Sequence, residues 1–492
     1  MTNQKTFKKI LLINPPSAIK RSWTEGVQSF PLGLASMAAV LDEHNYEVKI
    51  LDCFIEDYNN QEDIDDVFVK IGMSDSATLD VIKEYKPDMI GIAIQFSIQL
   101  RPAQSLNKLI KELYPDIISV VGGNHATAAP QSLAGYNFDW LIMGEGEFRI
   151  LKLLDALNNN TTSQLSPDIT PLLGDYNIET SKIRIDKIKD LNVLPRAKYE
   201  MLSLQKYWEM SNGIKWVNMF ITRGCPYNCV FCSIQTIMGS KVRYKSLEKV
   251  ISEIEYLKYE LGVNELLIED DNMTYDMDWA KAFFREIIAR KLKFKIHFRN
   301  GVRADKVDLE LLKLMRKAGV IKVAFAPESG SQNTLDNIIN KHMKLEDVET
   351  AIKLAIAADI YVKCFFVVGF PEETLEDVHK TFDYARKLKK MGVDHIWMSC
   401  AVPYPGTKLF DKCVNRGIIP KDNINYQDLT TMESVIYNEY FTAKEIQKMR
   451  DDIMKELNIG RVGQLKKLAF SNPILFFKKL KFIARNKIAD YM

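Results

Sequence analysis

The sequence predicts an α/β protein with two principal domains, an open doubly wound parallel sheet followed by a partial (β/α)6 barrel. The chain has 492 residues, too many for a single hydrophobic core. Short apolar runs alternate with helical patterns in both halves, and this rhythm is typical of βαβ units around parallel strands. Between the halves, over residues 158–205, the periodicity weakens and Ser, Thr, Asn and Pro become frequent, which indicates a surface connector.

Composition and charge narrow the class of protein. Apolar residues make up 47% and charged residues 26%, values of a globular protein. The formal net charge of +2 does not indicate a nucleic-acid partner. Four of the seven cysteines are scattered singly and three are clustered, which suits a reducing compartment and a metal site. No run approaches the ~18 apolar residues of a membrane span, so we expect a cytoplasmic protein.

The first domain is predicted from five apolar runs separated by helical patterns. The polar stretch 56–80 interrupts this rhythm and is predicted to be an insertion, partly helical. The predicted strands are Ile10–Ile13, Val48–Leu51, Met89–Ile94, Ile118–Val121 and Trp140–Met143, and the predicted helices are Leu32–His44, Leu79–Tyr85, Pro102–Leu113 and Glu147–Leu157. Ligands of such sheets bind at the carboxyl ends of the strands. A Gly-x-Gly-x-x-Gly pattern does not follow the first strand, which argues against a nicotinamide or flavin dinucleotide.

The second domain shows the same alternation from Trp216 onward. Ser246 is a predicted N-cap of one helix that Gly262 ends, and Asp308 and Gly319 bracket another. The predicted strands are Val217–Thr222, Glu265–Glu269, Phe294–Arg299, Ile321–Ala326, Tyr361–Val368 and His395–Ala401. In a barrel of this kind the active residues lie at the carboxyl ends of the strands.

A cysteine-rich loop follows the first strand of this second domain. Cys225, Cys229 and Cys232 have C-x3-C-x2-C spacing within Gly224–Ser233. Three thiolates can hold three irons of a 4Fe–4S cluster, and because four cysteines are usual, one iron is left open to a ligand. A structural zinc site is disfavoured because it needs a fourth ligand and no further Cys or His is near. Three incidental cysteines are the remaining alternative.

This spacing, with Phe231 directly before the last cysteine, resembles the signature of the radical S-adenosylmethionine (SAM) enzymes. The loops that end the strands of residues 1–160 resemble those of the cobalamin-binding domain that precedes this motif in the cobalamin-dependent branch of the family. The resemblance implies a flavodoxin-like cobalamin-binding domain over 1–160, a linker over 161–205, a radical SAM barrel over 206–415 and a helical region with a basic amphipathic tail over 416–492.

The resemblance also implies which residues meet the cofactors. Cobalamin is expected to bind with its base displaced and with no histidine on cobalt, since the first loop carries prolines and His125 is more typical of a hydrogen-bonding residue. The expected cobalamin-binding residues are Asn14, Pro15, Pro16, Gln95, Phe96, Ser97, Gly122, Gly123, Asn124, His125, Gly144 and Glu145. The expected SAM-binding residues are Phe231, Asp270, Asp271, Asn272, Arg299, Arg303, Glu328, Ser329, Gly369 and Pro371.

The activity implied by the resemblance is methyl transfer from methylcobalamin to an unactivated carbon, through a 5′-deoxyadenosyl radical. Two alternatives stay open: radical cyclisation, oxidation or rearrangement without methyl transfer, and a non-catalytic iron–sulfur or corrinoid carrier. A flavodoxin- or ferredoxin-like electron donor and a small-molecule or lipid substrate are expected partners. Methylthio transfer to tRNA is disfavoured, because a second three-cysteine set is missing and the first domain holds only Cys53. The basic, apolar-rich stretch 461–492 is either a helical tail packed on the barrel or a segment that contacts anionic lipid.

Overall fold

The computed structural model describes residues 7–21, 29–172, 185–431 and 433–458. The predicted basic tail at 461–492 lies outside these residues. Within them, the order of strands and helices follows the two-domain α/β architecture expected from the sequence.

The N-terminal domain contains a main six-stranded sheet, covered by helices on both faces, and a small three-stranded sheet. Its strands are β1 (Lys9–Asn14), β2 (Ser17–Lys20), β3 (Glu47–Asp52), β4 (Gln61–Asp63), β5 (Phe68–Ile71), β6 (Met89–Ala93), β7 (Ile118–Gly122), β8 (Trp140–Ile142) and β9 (Ile169–Pro171). Its helices are α1 (Leu32–Glu43), α2 (Cys53–Glu56), α3 (Asp75–Tyr85), α4 (Leu100–Leu113), α5 (Asn124–Ala128) and α6 (Glu147–Asn159). The main sheet has the order β3-β1-β6-β7-β8-β9, with β9 antiparallel and the other five strands parallel.

The insertion predicted at 56–80 contains two strands as well as the start of a helix. It contributes β4 and β5, which pair antiparallel with each other, and β5 also pairs antiparallel with β2, so a second small sheet forms beside the main one. The helix that follows begins at Asp75, four residues earlier than predicted, because the Ser74 hydroxyl accepts from the Ala77 N–H and caps it.

The C-terminal half is a partial barrel that begins after α7 (Leu204–Met210). Its strands are β10 (Trp216–Met219), β11 (Thr222–Arg223), β12 (Arg243–Tyr244), β13 (Glu265–Ile268), β14 (Lys295–Phe298), β15 (Lys322–Glu328), β16 (Tyr361–Val368) and β17 (His395–Cys400). Its helices are α8 (Ile234–Ile237), α9 (Leu247–Tyr259), α10 (Met277–Ala289), α11 (Leu309–Ala318), α12 (Leu345–Ala357), α13 (Leu375–Met391), α14 (Lys408–Asn415) and α15 (Ala443–Leu457).

Six parallel strands form the barrel wall in the order β10-β13-β14 and β15-β16-β17. Two single parallel bridges, Ile296 to Val320 and Val302 to Phe325, join the two sets. The first predicted strand is split, since β11 leaves the wall and pairs antiparallel with β12. This departure turns the chain into the cysteine loop at the mouth of the barrel.

The connector does not simply run over the surface, as the sequence suggested. Tyr199 is buried in it, and α7, which follows directly, buries Tyr207, whose hydroxyl donates to Asp52 Oδ2 at 2.6 Å, at the end of β3. Tyr207 also packs against Phe30 and lies edge-on to Trp216 of the barrel. The connector is therefore part of the core that holds the two domains together.

The chain after the barrel returns to the N-terminal domain. Tyr426 packs edge-on against His125 with ring centroids 5.2 Å apart, and Lys20 pairs with Glu433 at 2.5 Å. The helix α15 then packs along β17, where Asn458 donates to the Ile396 carbonyl. No helix among the described residues is long and apolar enough to cross a membrane.

Candidate active site

One cavity of about 380 Å³ lies between the two domains and takes its lining from both. The N-terminal domain contributes the carboxyl ends of β1, β6, β7 and β8, and the barrel contributes the mouths of β10, β13 and β14. Eight of the predicted cobalamin-binding residues line it: Asn14, Gln95, Phe96, Gly122, Gly123, Asn124, Gly144 and Glu145. Of the predicted SAM-binding residues, Asp271 lines it. Further lining residues include Asn218, Phe220, Arg223, Glu269 and Asn300.

Glycine is required at one of the predicted cobalamin-binding positions and fits closely at the one before it. Gly123 has φ +103°, and a Cβ there would lie 2.6 Å from the Ile94 carbonyl oxygen. At Gly122 an added Cβ would meet the Ile142 carbonyl oxygen at 3.1 Å. The loop after β7 thus passes against neighbouring backbone and leaves room on its cavity side for a large planar ligand.

A buried hydrogen-bond chain shapes the loops that end β1 and β6. Asn14 donates to Asp52 Oδ1 at 2.7 Å and accepts from Gln99 Nε2 at 2.8 Å. The Gln99 Oε1 atom in turn accepts from the backbone N–H groups of Gln95 and Phe96. Burial raises the pKa of Asp52 to about 6. This chain gives the loop of Gln95 and Phe96 a set conformation beside the cavity.

His125 has partners for both of its ring nitrogens. Nδ1 lies 2.9 Å from Ser97 Oγ and Nε2 lies 3.1 Å from Ser132 Oγ. Burial lowers the pKa of His125 to about 4, so the ring is neutral at physiological pH. Ser97, His125, Pro15 and Pro16 are absent from the described lining of the cavity. The geometry suits a loop-supporting histidine better than a ligand on cobalt.

The cysteine loop is held in place by the two aspartates after β13. Asp270 is buried, and its carboxylate accepts from the N–H groups of Ile221 and Thr222 at 2.7 and 2.9 Å. Asp271 accepts from the Gly224 N–H at 2.8 Å. Burial raises the pKa of Asp270 to about 7 and that of Asp271 to about 6. Both oxygens of Asp270 face the loop, so this carboxylate supports the cysteine loop rather than contacting SAM as predicted.

Gly224 permits the turn into the cysteine loop. Its φ is +95°, and a Cβ there would lie 2.3 Å from the Lys241 carbonyl oxygen. Burial raises the pKa of all three clustered thiols, Cys225, Cys229 and Cys232. Cys225 Sγ accepts from Asn272 Nδ2 at 3.8 Å. The three thiols together with this donor are a set suited to iron ligation.

The described residues contain no set of three acidic, His or Cys side chains that converges on a single metal ion. Cysteines that each bind a different iron of a cluster are not required to converge in this way.

The predicted SAM-binding residues at the other strand ends fall into two groups. Arg303 stacks on Tyr227 of the cysteine loop, with its guanidinium carbon 3.5 Å from the ring centroid. The rings of Phe231 and of Phe370, in the turn after β16, have centroids 6.0 Å apart. These contacts bring the predicted residues Arg303, Phe231, Gly369 and Pro371 toward the cysteines. Arg299 lies at the mouth with its Nε 3.4 Å from Glu269 Oε1.

Glu328 and Ser329 have protein partners in the structure. Glu328 has φ +68° and accepts from Lys341 Nζ at 2.8 Å, and both side chains are buried. Ser329 Oγ lies 2.8 Å from Thr381 Oγ1 and faces α13. Of the two, Glu328 is a strained residue at a strand end and fits a functional role better than Ser329.

Two candidate residues, Asn218 and Glu269, are absent from the residue sets predicted above. Asn218 and Glu269 both line the cavity; Asn218 Oδ1 is buried without a hydrogen bond to any described residue, whereas Glu269 Oε1 lacks a hydrogen bond but is ion-paired with Arg299 Nε at 3.4 Å. Asn272 Oδ1 is likewise buried without a hydrogen bond to any described residue. A polar residue inside the apolar run Trp216–Phe220 was the available signal for Asn218. Unsatisfied buried acceptors at a cavity are partners that a ligand can supply.

Family models match both halves of the chain. The model described as the radical SAM superfamily matches residues 219–385, and that described as the B12 binding domain matches residues 25–153. The first spans the cysteine loop and β10 to α13, and the second spans the glycine loops of the N-terminal domain.

Known relatives cover nearly the whole chain. Cytidylyl-2-hydroxyethylphosphonate methyltransferase of Streptomyces wedmorensis is 31% identical, over 92% of this chain and 91% of its own. An uncharacterized methyltransferase of Pyrococcus horikoshii, PH0819, is 30% identical over 90% of each chain. The solved structure of the cobalamin-dependent SAM radical enzyme OxsB, with aqua-cobalamin and SAM bound, shares the fold at a TM-score of 0.69 and 16% identity, over 98% of this chain and 71% of its own.

These similarities confirm the fold class and the enzyme class that the sequence predicted. The enzyme needs a reductant and a substrate, and its cofactors are a 4Fe–4S cluster, SAM and cobalamin. The chain belongs to the cobalamin-dependent radical SAM enzymes and is a methyltransferase of that family.

Proposed function

We propose that this enzyme methylates an unactivated carbon of a substrate whose reacting end sits in the cavity between the two domains. One observation carries the proposal: the same cavity is lined by the glycine loops of the cobalamin-binding domain and by the barrel mouth beside the cysteine loop. When bound, the cofactors supply a 5′-deoxyadenosyl radical for hydrogen abstraction and a methyl group for transfer. The chain's own work is to hold these groups and to exclude water from them.

Cys225, Cys229 and Cys232 are assigned to the cluster. Asn272 donates to the sulfur of Cys225, and a hydrogen bond to a ligating sulfur tunes the reduction potential of such a cluster. Asp270 and Asp271 hold the loop by accepting three backbone N–H groups. The two carboxylates thereby set the position of the thiols.

SAM is assigned to the strand ends around the cysteines. Asp271 and Asn272 are the candidates for its ammonium group, and Arg299 and Arg303 for its carboxylate, a charge-assisted pairing. Glu328 is the candidate for the ribose hydroxyls. The turn of Gly369 and Pro371, beside Phe370 and Phe231, is the candidate for the adenine.

Cobalamin is assigned to the loops after β1, β6, β7 and β8, without a protein ligand on cobalt. The support is the cradle left by Gly122 and Gly123 and the complete hydrogen bonding of His125. Glu145 is assigned a different task from the predicted one. It lines the cavity, but its carboxylate pairs with Arg223 and Arg243 of the barrel, so it joins the domains.

The substrate class is suggested by the phosphonate relative. That relative's name gives a cytidylyl hydroxyethylphosphonate, an elongated anion, and the high coverage of both chains supports a related anionic small molecule here. A flavodoxin- or ferredoxin-like protein is the proposed electron donor. We place the enzyme in the cytoplasm. A lipid contact through 461–492 is tested by liposome pelleting of the full chain against a version ending at residue 460. Equal pelleting of the two would refute that contact.

The experiment for the function is anaerobic purification followed by turnover with SAM and a strong reductant. We expect iron, sulfide and a corrinoid spectrum in one protein, and both 5′-deoxyadenosine and S-adenosylhomocysteine among the products. Formation of 5′-deoxyadenosine without S-adenosylhomocysteine, in the presence of a consumed substrate, would favour cyclisation or rearrangement. Absence of SAM cleavage would favour the carrier alternative.

A further inference from the structure

The inner face of the barrel carries two lysines that are separate from the cysteine loop. In β16, Val362, Cys364, Phe366 and Val368 are buried in the layer that α12 and α13 cover, while the alternating residues are only half-buried. Because side chains alternate across a strand, Lys363 points to the opposite face, which is the lumen of the barrel.

Lys322 lies on the same face of the neighbouring strand. The register pairs Lys322 with Tyr361 and Ala324 with Lys363, so the two lysines are diagonal neighbours on one side of β15 and β16. They are close enough to repel each other, since the charge of Lys363 contributes to lowering the pKa of Lys322. Burial is the larger cause, and it brings the pKa of Lys322 to about 8. Burial also lowers the pKa of Lys363.

The other charges of this lumen are already paired. Glu265 accepts from Lys295 at 2.8 Å and lies 3.0 Å from His297. Glu269 faces Arg299. Across the residues that the structure describes, Lys322 and Lys363 have neither an ion pair nor a hydrogen bond. The lumen therefore holds an excess of two positive charges, on two lysines that are partly buried and partly accessible.

Two aromatic residues lie one step closer to the mouth. The register of β16 and β17 pairs Lys363 with His395 and, two residues on, Phe365 with Trp397. Trp397 is 39% exposed, so its ring is accessible on this face. From Lys363 to Val368, where β16 ends, five residues of strand span roughly 16 Å. A ligand that reaches from the lysines to the mouth has to be elongated.

We infer that Lys322 and Lys363 bind the dianionic phosphate or phosphonate end of the substrate, deep in the barrel, with Phe365 and Trp397 beside its middle portion. Two ammonium groups match the two charges of such an oxyanion, and the pairing is charge-assisted. The reacting carbon then lies at the other end of the molecule, near the cavity. The inference rests on the proposed function, because it assigns the anion-binding part of the same substrate site.

The test uses the cofactor-loaded enzyme, with methylphosphonate as the probe and chloride at equal ionic strength as the reference. Calorimetric titration and thermal shift should show binding that stabilises the wild type. Each of Lys322→Gln and Lys363→Gln should weaken the binding about tenfold, the effect of losing one charge-assisted contact. Lys353→Gln, which removes an equal charge on the exposed side of α12, should leave the binding unchanged.

Two further variants keep the inference falsifiable if a glutamine variant folds poorly. Lys322→Arg retains the charge and should retain most of the binding. Lys322→Met should raise the melting temperature without ligand, because it removes a desolvated charge, and should still lose the probe. Equal affinity in the wild type and both lysine variants, or no binding by the wild type, would overturn the inference. Corrinoid content and SAM cleavage, measured on the same samples, report separately on the proposed function.

Discussion

Arg223 donates from Nη2 to the Oε1 atom of Glu147 at 2.7 Å, across the boundary between the barrel and the cobalamin-binding domain. Arg223 stands two residues before Cys225, and Glu147 begins α6 beside the glycine loop after β8. The other terminal nitrogen of Arg223 donates to Glu145 at 2.8 Å. One buried guanidinium thus ties the cysteine loop to a loop of the other domain.

Removing this tie is expected to destabilise the protein. Glu147→Ala leaves a buried guanidinium short of one carboxylate, a loss of about 3–5 kcal/mol in the free energy of unfolding for a broken buried pair. Glu376→Ala breaks an exposed pair with Lys380 and should cost under about 1 kcal/mol. Thermal unfolding of both variants checks the difference. Similar melting temperatures for the two would contradict a structural role for the buried pair.

Substitution of the clustered cysteines should remove the cluster and leave the corrinoid. We expect Cys229→Ala to lose its iron, its sulfide and all SAM cleavage, because the two remaining cysteines are too few to retain the cluster. Cys413→Ala changes a buried cysteine outside the loop and should keep a full cluster. Iron, sulfide and corrinoid determinations on the two variants provide the measurement. A cluster of wild-type content in Cys229→Ala would refute the ligand assignment.

The loop after β7 allows a matched pair of glycine substitutions. Gly123→Ala combines a positive φ with a collision 2.6 Å from the Ile94 carbonyl, and should lower corrinoid content severalfold. Gly135→Ala has a similar φ of +80° but nothing within 4 Å of the added methyl group. It carries the backbone strain, about 1–2 kcal/mol, without the collision. Equal corrinoid content in the two variants would mean that the loop contact is unimportant for cobalamin.

The raised pKa of Glu373 predicts that the stability of the protein depends on pH. It is buried under the turn after β16, where its Oε2 accepts from the N–H groups of Gly369 and Phe370, and burial raises its pKa from 4.5 to about 8. Between these values the folded chain binds a proton that the unfolded chain has released. The contribution of Glu373 to stability is therefore complete below pH 4.5 and falls by up to about 1.4 kcal/mol per unit as the pH rises toward 8.

Glu373→Gln keeps an acceptor oxygen and does not titrate. Its stability relative to the wild type should improve steadily from pH 6 to pH 8.5, as measured by denaturant unfolding at each pH. A difference between the two proteins that stays constant over this interval would show that Glu373 does not carry the raised pKa.

His125 gives a spectroscopic prediction. Since both ring nitrogens have serine partners, the cob(II)alamin form should show no nitrogen hyperfine coupling from the protein in its electron paramagnetic resonance spectrum. His125→Gln should leave that spectrum unchanged and lower only the stability. Nitrogen coupling that disappears in His125→Gln would identify the histidine as a cobalt ligand after all.

Local patterns were sufficient to predict much of the fold. The bounds of β16 agree residue for residue with the predicted strand Tyr361–Val368, and the caps Ser246, Asp308 and Gly319 are confirmed because a cap is a short-range interaction. The hairpin of β4 and β5 was missed, since both strands are brief, β4 is polar, and the buried β5 pairs with β2 far earlier in the sequence. Periodicity carries no information about such a partner.

The site was predicted in its motifs and missed in its side-chain pairings. The cysteine spacing and the glycine loops lie within a few residues, so the sequence displays them directly. Arg223 and Glu145 are 78 residues apart, and Tyr207 and Asp52 are 155 apart. Only the packing of the two domains decides that Glu145 joins the domains, that Asp270 supports the cysteine loop, and that Lys322 and Lys363 share one face of the barrel.

The most direct test of the central claim is product stoichiometry with SAM that carries a deuterated methyl group, on the anaerobic enzyme loaded with methylcobalamin. The substrates to supply are elongated phosphonates and their nucleotidyl esters. If both cofactors act on one substrate in the shared cavity, each labelled product is accompanied at steady state by one 5′-deoxyadenosine and one S-adenosylhomocysteine. A product without the label, formed with 5′-deoxyadenosine alone, would contradict the account.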